Sequence, residues 1–447
     1  MSTSSRVTAS VKTPTLTPSY PHTLKLIPRL RDILQLRFTD MFASVPAAAM
    51  ASISPANPLK RLARVLGYAG LRLVGNIFQP IRNPETLQDA VWLYVVSANN
   101  YNALEFIKQA RPDAVLVAGQ GKNIGRYGSV VNRLSLRRKL LYYWQFPYVF
   151  LGLLRTDERK AWRFFDFIFY AIGYYEVYRR ALRHYRPRAV IFSNDHNDDS
   201  RSLLLACRAE GVPTAYIQHA SVSVHFPPLG FDLSLLEGQD ALDKYGQCGP
   251  VHGRVELVGM PKADAFLKEK NLRPRVTRVG LACNVHDPLP AIAEALAFLM
   301  QELPELVFTL RPHPSDPRDF NSLRCTLPQL QWSDARQENV FAFLQGHDAL
   351  IAADTSTHLE ATLLNLVSIY YQFSANPLIH DYYGYVAHEL VDHAQSLPEL
   401  RDFLQQYQRE KPLTHFQRAA YYNATIGTEY ESQSQALAIK IITDWLG

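Results

Sequence analysis

Four short stretches of the sequence bring together side chains able to hold an anion or move a proton. In Arg311-Pro312-His313-Pro314-Ser315-Asp316 the two prolines force extended backbone around His313 and so fix the direction of its imidazole. Arg311 adds a planar fork suited to phosphate. In Asp354-Thr355-Ser356-Thr357-His358-Leu359-Glu360-Ala361 three consecutive hydroxyls, Thr355, Ser356 and Thr357, open a helical pattern. Backbone N–H and O–H donors would meet an anion there with the help of the helix dipole, and Glu360, one turn on, can reach a ribose hydroxyl. Gln218-His219-Ala220-Ser221 presents a histidine fit to act as base or phosphate ligand. The run 193–199, SNDHNDD, has no apolar residue: Asp195 beside His196 could supply a general base, while Asp198, Asp199 and Ser200 suit a helix cap. Which of Asp195, His196 and His219 would be the base stays open. Lys262, after Val-Gly-Met-Pro, is a further cationic candidate.

Each of these stretches follows an apolar run that reads as a buried strand: AVIF (189–192), TAYIQ (214–218), VFTL (307–310) and ALIA (349–352). A first strand–helix series begins near residue 90, with strands expected over 90–96, 114–118, 189–192, 214–218, 233–236 and 255–258. The helix over 202–210 is stopped by Gly211. Near residue 272 the polar, cationic stretch KEKNLRPRVTR reads as a linker. A second series follows, with strands over 278–282, 307–310, 349–352 and 367–371. Short strands joined by helices make parallel crossovers, so the chain is expected to be α/β, with two Rossmann-like doubly wound domains facing across a cleft. Ligands of such sheets bind beyond the strand C-termini, where the four stretches stand. The expected division is a disordered or loosely structured N-terminal segment 1–56, an acceptor domain 57–272, a nucleotide-donor domain 273–425 and a C-terminal helix 426–447 that could cross back to the first domain.

Composition narrows the class. A chain of 447 residues is long enough for two or three domains, and 47% hydrophobic against 20% charged residues excludes disorder or coiled coil for the whole. Lys plus Arg number 47 against 41 for Asp plus Glu; this excess suits phosphorylated substrates or an anionic membrane face and falls short of a dedicated nucleic-acid binder. Cys207, Cys248, Cys283 and Cys325 form no CxxC pair, and no spaced acidic pair follows a strand, so neither metal nor cofactor is expected, in a reducing, cytoplasmic setting. No run of 18 apolar residues occurs. The nearest approach, 140–154, is broken by Gln145 and Pro147 and bracketed by Arg137, Arg138, Lys139 and Arg155.

Three other regions stand out. Residues 1–20 are rich in Ser, Thr and Pro and read as disordered, and the small-residue stretch 43–51 lacks the apolar core of a signal peptide. LKRLARVLGYAGLRLV (59–74) sets Leu62, Val65, Leu66 and Ala69 opposite Lys60, Arg61, Arg64 and Arg72. It is either a solvated helix packed on the domain or an interfacial membrane helix. Over 133–188 Arg and Lys alternate with aromatics, as expected of one or two long helices. These either pack on the core as an insertion or hold lipid headgroups or a lipid-linked acceptor. The loop GQGKNIG (119–125) departs from the GxGxxG spacing, which weakens a phosphate-cradling role.

The order of strand–QHA, strand–VGMPKADAF, strand–RPHPSD and strand–DTSTHLEA over 189–372 resembles GT-B glycosyltransferases that carry an HP motif and a downstream Ser/Thr motif. These include bacterial polysialyltransferases, capsule Kdo transferases and CDP-glycerol glycerophosphotransferases. Position 220 is Ala where the glycerophosphotransferases tend to have Gly. The resemblance implies a CMP- or CDP-linked donor in the second half, its phosphate held by His313 and by Ser356 or Thr355. It implies an acceptor activated from the first half, where Asp195, His196 and His219 match by location. The expected function is a metal-independent glycosyltransferase of bacterial surface-polysaccharide synthesis, acting on a glycan or lipid-linked acceptor, peripheral to the inner membrane face. An alditol-phosphate transferase and a non-catalytic glycan-binding scaffold are the alternatives, and UDP-N-acetylglucosamine 2-epimerases share the topology.

Overall fold

The computed structural model describes residues 25–44, 54–78, 84–119, 131–374 and 380–447. Residues 1–20, most of the 43–51 stretch and most of the 119–125 loop lie outside the described residues. Two parallel sheets organise the chain. The first holds β1 (Val91–Tyr94), β2 (Ala114–Gly119), β3 (Asn132–Leu134), β4 (Ala189–Phe192), β5 (Thr214–Ile217), β6 (Leu233–Leu236) and β7 (Arg254–Leu257), in the order β3-β2-β1-β4-β5-β6-β7. The second holds β8 (Arg278–Cys283), β9 (Val307–Pro312), β10 (Gln331–Trp332), β11 (Ala349–Ala352), β12 (Val367–Tyr371) and β13 (Asp392–Ala394), in the order β10-β9-β8-β11-β12-β13. The strand order reverses beside β1 in one sheet and beside β8 in the other, which opens a crevice at the strand C-termini of each.

Central strands such as β4, β5, β6 and β11 are buried along their whole length because helices cover both sheet faces, which is why they read as unbroken apolar runs rather than alternating ones. Strands β3, β10 and β13 are two or three residues long at or near the edges, too short for an apolar pattern to reveal them. Helix Asp198–Glu210 ends on Gly211 at φ +68°, a left-handed stop that glycine tolerates.

The last helix, Ser434–Leu446, packs Ala438, Ile441 and Ile442 against Val91, Leu93, Ile191 and Leu233 on one face of the first sheet. The returning chain crosses two glycines. A Cβ on Gly238 would stand 2.4 Å from the Tyr422 carbonyl carbon, and one on Gly259 would stand 2.4 Å from Ser434 Oγ. The two halves are therefore stitched together beside the crevice.

The aromatic region departs from one or two long helices. It forms a 3-10 helix (Arg137–Gln145) and three α-helices (Phe146–Arg163, Phe165–Ala171 and Tyr174–Tyr185). Phe164 leaves helical geometry, and Gly173 turns at φ +81°. Tilted and edge contacts among Tyr143, Phe146, Phe169, Tyr170 and Tyr174 fill this layer. No helix of the described residues is long and apolar enough to cross a membrane.

Candidate active site

Between the strand ends of the two sheets lies a cavity of about 770 Å3. Its first wall comes from the N-terminal half: Gln218 and His219 after β5, Glu237 after β6, and Asn99, Asn102 and Phe106 on helix Ala98–Ala110, with Lys262 beyond β7 at the junction. Its second wall comes from the C-terminal half: Asn284 and Asp287 after β8, Arg311 and His313 at and after the end of β9, and Asp354, Thr355, Ser356, Thr357 and Glu360 after β11. Eight of the ten side chains singled out in the sequence therefore line one cavity.

Asp195 and His196 do not. Asn194 Oδ1 accepts from the backbone N–H groups of His196 and Asn197, which curls the loop back into helix Asp198–Glu210. Asp195 is buried behind the wall, 2.9 Å from His196 Nδ1 and accepting from the Tyr245 hydroxyl at 2.7 Å. Burial works to raise its pKa, but the bonds from His196 and Tyr245 outweigh it and hold the carboxyl below its ordinary range.

Two groups of the first wall are left desolvated. Burial, with the nearby His196 adding to it, drives the His219 pKa down to about 4, and Nδ1 has no hydrogen-bond partner among the described residues. The ring is neutral at pH 7. Glu237 Oε1 likewise has no partner among the described residues, and Oε2 meets only Gln218 Nε2, at 3.4 Å. Burial raises the Glu237 carboxyl to about 7, with Glu360 and Asp240 reinforcing the shift and Lys262 opposing it. Lys262 Nζ meets Glu360 Oε1 at 2.6 Å and keeps 35% of its side chain accessible from the cavity. Burial lowers its pKa, but Glu360 and Glu237 more than compensate, so the ammonium stays charged.

The second wall is prearranged. His313 Nδ1 accepts from the Ser315 N–H at 3.1 Å, so the neutral ring carries its proton on Nε2 and can donate from it. Burial lowers the His313 pKa. Thr357 N–H and its hydroxyl both meet Thr355 Oγ1, at 3.3 and 3.0 Å, and the Ser356 side chain makes no cap bond. Asp354 is spent elsewhere, accepting from Tyr382 N–H at 2.7 Å and from the Tyr370 hydroxyl at 2.9 Å. The Arg311 fork is also committed: it donates to Ser333 Oγ and to the Glu338 carbonyl at 2.6 Å and lies over the Phe343 ring. Arg311 thus braces the 333–338 loop rather than offering a free fork to phosphate.

No family model matches the sequence, and neither does any curated protein. Solved structures do match its shape. A protein of Listeria monocytogenes described as a UDP-N-acetylglucosamine 2-epimerase superposes with a TM-score of 0.52 at 10% identity, over 80% of this chain and 97% of its own. The UDP-GlcNAc 2-epimerase of Methanocaldococcus jannaschii gives 0.51 at 10% identity, over 79% and 99%. A variant of the wall teichoic acid polymerase TagF gives 0.50 at 10% identity, over 87% and 98%.

The fold is GT-B.

Several residues of the crevice between the two sheets escaped the sequence reading. Glu237 directly follows the run LSLL, so the strand-end rule that singled out His219 applied to it equally. Arg318 clamps Asp316 through Nε at 2.9 Å and the Asn284 carbonyl at 2.8 Å, tying the His313 loop to the loop after β8; nothing local marked it. Asp287, on that second loop, is raised to about 6 by burial. Among the described residues no group of three or more His, Cys, Asp or Glu side chains is arranged to hold a metal ion. The arrangement can do two things at once: take a proton on one wall and donate hydrogen bonds to an anion on the other.

Proposed function

We propose that this chain is a glycosyltransferase that moves a sugar from a nucleotide-activated donor, CMP-linked by preference, to a glycan or lipid-linked acceptor in the synthesis of a surface polysaccharide. One observation carries the reading. A single crevice sets the desolvated Glu237 and His219 opposite the donor set of His313, Thr355, Ser356 and Thr357, with the charged Lys262 beside them. The acceptor hydroxyl gives its proton to Glu237 or to neutral His219 while its oxygen attacks the anomeric carbon. The bond from that carbon to the donor phosphate breaks, and the electron pair leaves on the nucleotide. His313 Nε2–H, the hydroxyls and the Lys262 ammonium meet the charge that develops there. Of the two bases, Glu237 has the pKa nearer pH 7, where a base both stays ionised and binds a proton well. In this reading Glu360 exchanges its Lys262 partner for a ribose hydroxyl.

The likeness to a wall teichoic acid polymerase favours one second reading, transfer of an alditol phosphate from a CDP-linked donor in the same crevice. Incubating the protein with labelled CMP-, CDP- and UDP-activated donors and analysing the products separates the two. Sugar transfer supports the first reading and alditol-phosphate transfer the second; failure to bind or turn over any such donor removes both.

A further inference from the structure

Helix Pro58–Phe78 is packed inside out. Leu59, Leu62, Leu66, Leu73 and Ile77 recur every three or four residues, or at twice that spacing, and form a single stripe. That stripe faces outward, with Leu59 72% and Ile77 75% exposed. The opposite stripe carries the arginines inward. Arg72 is 1% exposed and lies against the Tyr170 ring; Arg61 donates to the Trp162 carbonyl and, at 2.7 Å, to the Arg163 carbonyl. Arg64 Nη1 stands 3.3 Å from Asp166. The aromatic layer thus takes the basic face through cation–π contacts and carbonyls, leaving the leucines half or more exposed. A helix that merely covered a domain would turn the other way.

The surface continues onto the segment packed beside this helix, where Leu141, Trp144, Tyr148, Leu151 and Trp162 are exposed, Trp144 at 74%. Twelve of the seventeen exposed large hydrophobic side chains among the described residues fall within 59–162. Around them stand exposed Lys60, Arg137, Arg138, Arg155 and Arg159, against a single exposed acid, Glu158, in the two segments 58–78 and 137–163. An apolar band rimmed by Trp and Tyr and by an excess of cations matches an anionic lipid surface in both chemistry and charge. A second copy of the chain matches less well, because a two-fold contact would set the basic rim against itself.

We propose that this face docks on an anionic bilayer, helix Pro58–Phe78 lying in the plane of the interface with its leucines in the acyl boundary. The inference is independent of the nucleotide chemistry and deepens it by bringing a lipid-linked acceptor within the protein's own plane.

The full chain should float with vesicles of phosphatidylcholine and phosphatidylglycerol, and only weakly with phosphatidylcholine alone. Combining Leu66→Asp with Ile77→Asp should cut flotation at least about tenfold, since it charges the stripe that enters the acyl boundary. Combining Arg138→Glu with Arg155→Glu should abolish the preference for the anionic vesicles while leaving the apolar stripe intact. All four substitutions lie on exposed positions, so thermal melts by circular dichroism should match the parent. The proposal is overturned if the parent floats with neither vesicle, if the double aspartate variant floats as well as the parent, or if the parent is a dimer that this variant splits and that ignores lipid.

Discussion

The two walls of the crevice are built on opposite plans. On the wall from the second sheet almost every polar group has a partner: His313 is oriented by Ser315, Thr355 by Thr357, Asp354 by Tyr370 and Tyr382, and Arg311 by Ser333 and Glu338. On the wall from the first sheet, His219 Nδ1 and Glu237 Oε1 are buried without partners among the described residues, and their pKa values exchange order, His219 falling to about 4 and Glu237 rising to about 7. Donors that stabilise a developing anion work best when their directions are set beforehand, because no reorganisation is then needed at the moment of reaction. A group that must change protonation needs the reverse. A fixed partner would lock one charge state; desolvation instead brings the two states of Glu237 close in energy near pH 7 and keeps His219 neutral.

The comparison breaks most visibly at His313. On this account His313→Ala lowers kcat/KM by about a hundredfold to a thousandfold, the typical loss of one prearranged donor. Nucleotide affinity should fall as well, read by titration calorimetry with CMP, because the same donor meets the ground-state phosphate. A variant that keeps near-parental kcat/KM would show that the second wall is not the anion seat.

Glu237→Gln tests the first wall and should separate kcat from KM. The amide keeps the shape but cannot take a proton, so kcat should fall by roughly a hundredfold, within the usual range for a general base, with KM little changed. In the parent, kcat should rise with pH through an apparent pKa near 7 as the carboxylate forms, and the variant should lack that limb. Stability should move the opposite way. The folded-state pKa of Glu237 lies above the ordinary 4.5, so the folded protein binds the extra proton between about pH 4.5 and 7; its contribution is whole below that window and lost as pH rises through it. His219, depressed to about 4 from 6.5, has the opposite slope between those values, so the informative quantity is the difference between parent and variant. At pH 8 Glu237→Gln should be the more stable protein, by up to a few kcal/mol, since a shift of one pKa unit is worth about 1.4 kcal/mol. Chemical denaturation at pH 5 and pH 8 measures it.

Lys262 and Glu360 join the walls, and their effect should be intermediate. Lys262→Met removes a cation from the phosphate's neighbourhood and leaves Glu360 unpaired on the cavity wall. Its cost should be about tenfold in donor affinity, as expected for the loss of one charge-assisted contact worth about 1.4 kcal/mol. Glu360→Gln should instead free the ammonium. If both variants bind CMP like the parent, the pair merely bridges the halves.

What the sequence revealed and what it hid divide along the same physical line. Strands buried on both faces are unbroken apolar runs, so β4, β5, β9, β11 and β12 were legible, and with them the strand-end positions of His219, His313 and Thr355. Edge strands of two or three residues have no pattern to read. Pairing was hidden as well: that Arg311 would turn to Glu338, 27 residues on, or that Arg318 would tie two loops, depends on loop geometry that no local spacing encodes. The amphipathic helix at 58–78 was visible as such, but which face it would turn inward was not, because a layer rich in Tyr and Phe can bury arginine as well as leucine.

The smallest effect on activity is expected where the sequence drew the eye most strongly. Asp195 and His196 sit side by side at a strand end, as a catalytic pair would, yet the structure turns them away from the crevice. Asp195→Asn removes a buried carboxylate from between the Tyr245 hydroxyl and His196 Nδ1. The protein should therefore lose stability by about 1–3 kcal/mol, the usual cost of disturbing a buried, charged hydrogen-bonded group. The surviving folded protein should keep its kcat within about threefold, since the group lies behind His219 and can act on the reaction only through it. The two readouts fall on different axes: a pair that supports the wall moves the denaturation midpoint, and a pair that moves the proton moves kcat. A loss of two orders of magnitude in kcat with an unchanged midpoint would mean that the crevice rearranges on binding to bring Asp195 forward. The contrast between an oriented wall and a desolvated one would then hold only before a donor binds.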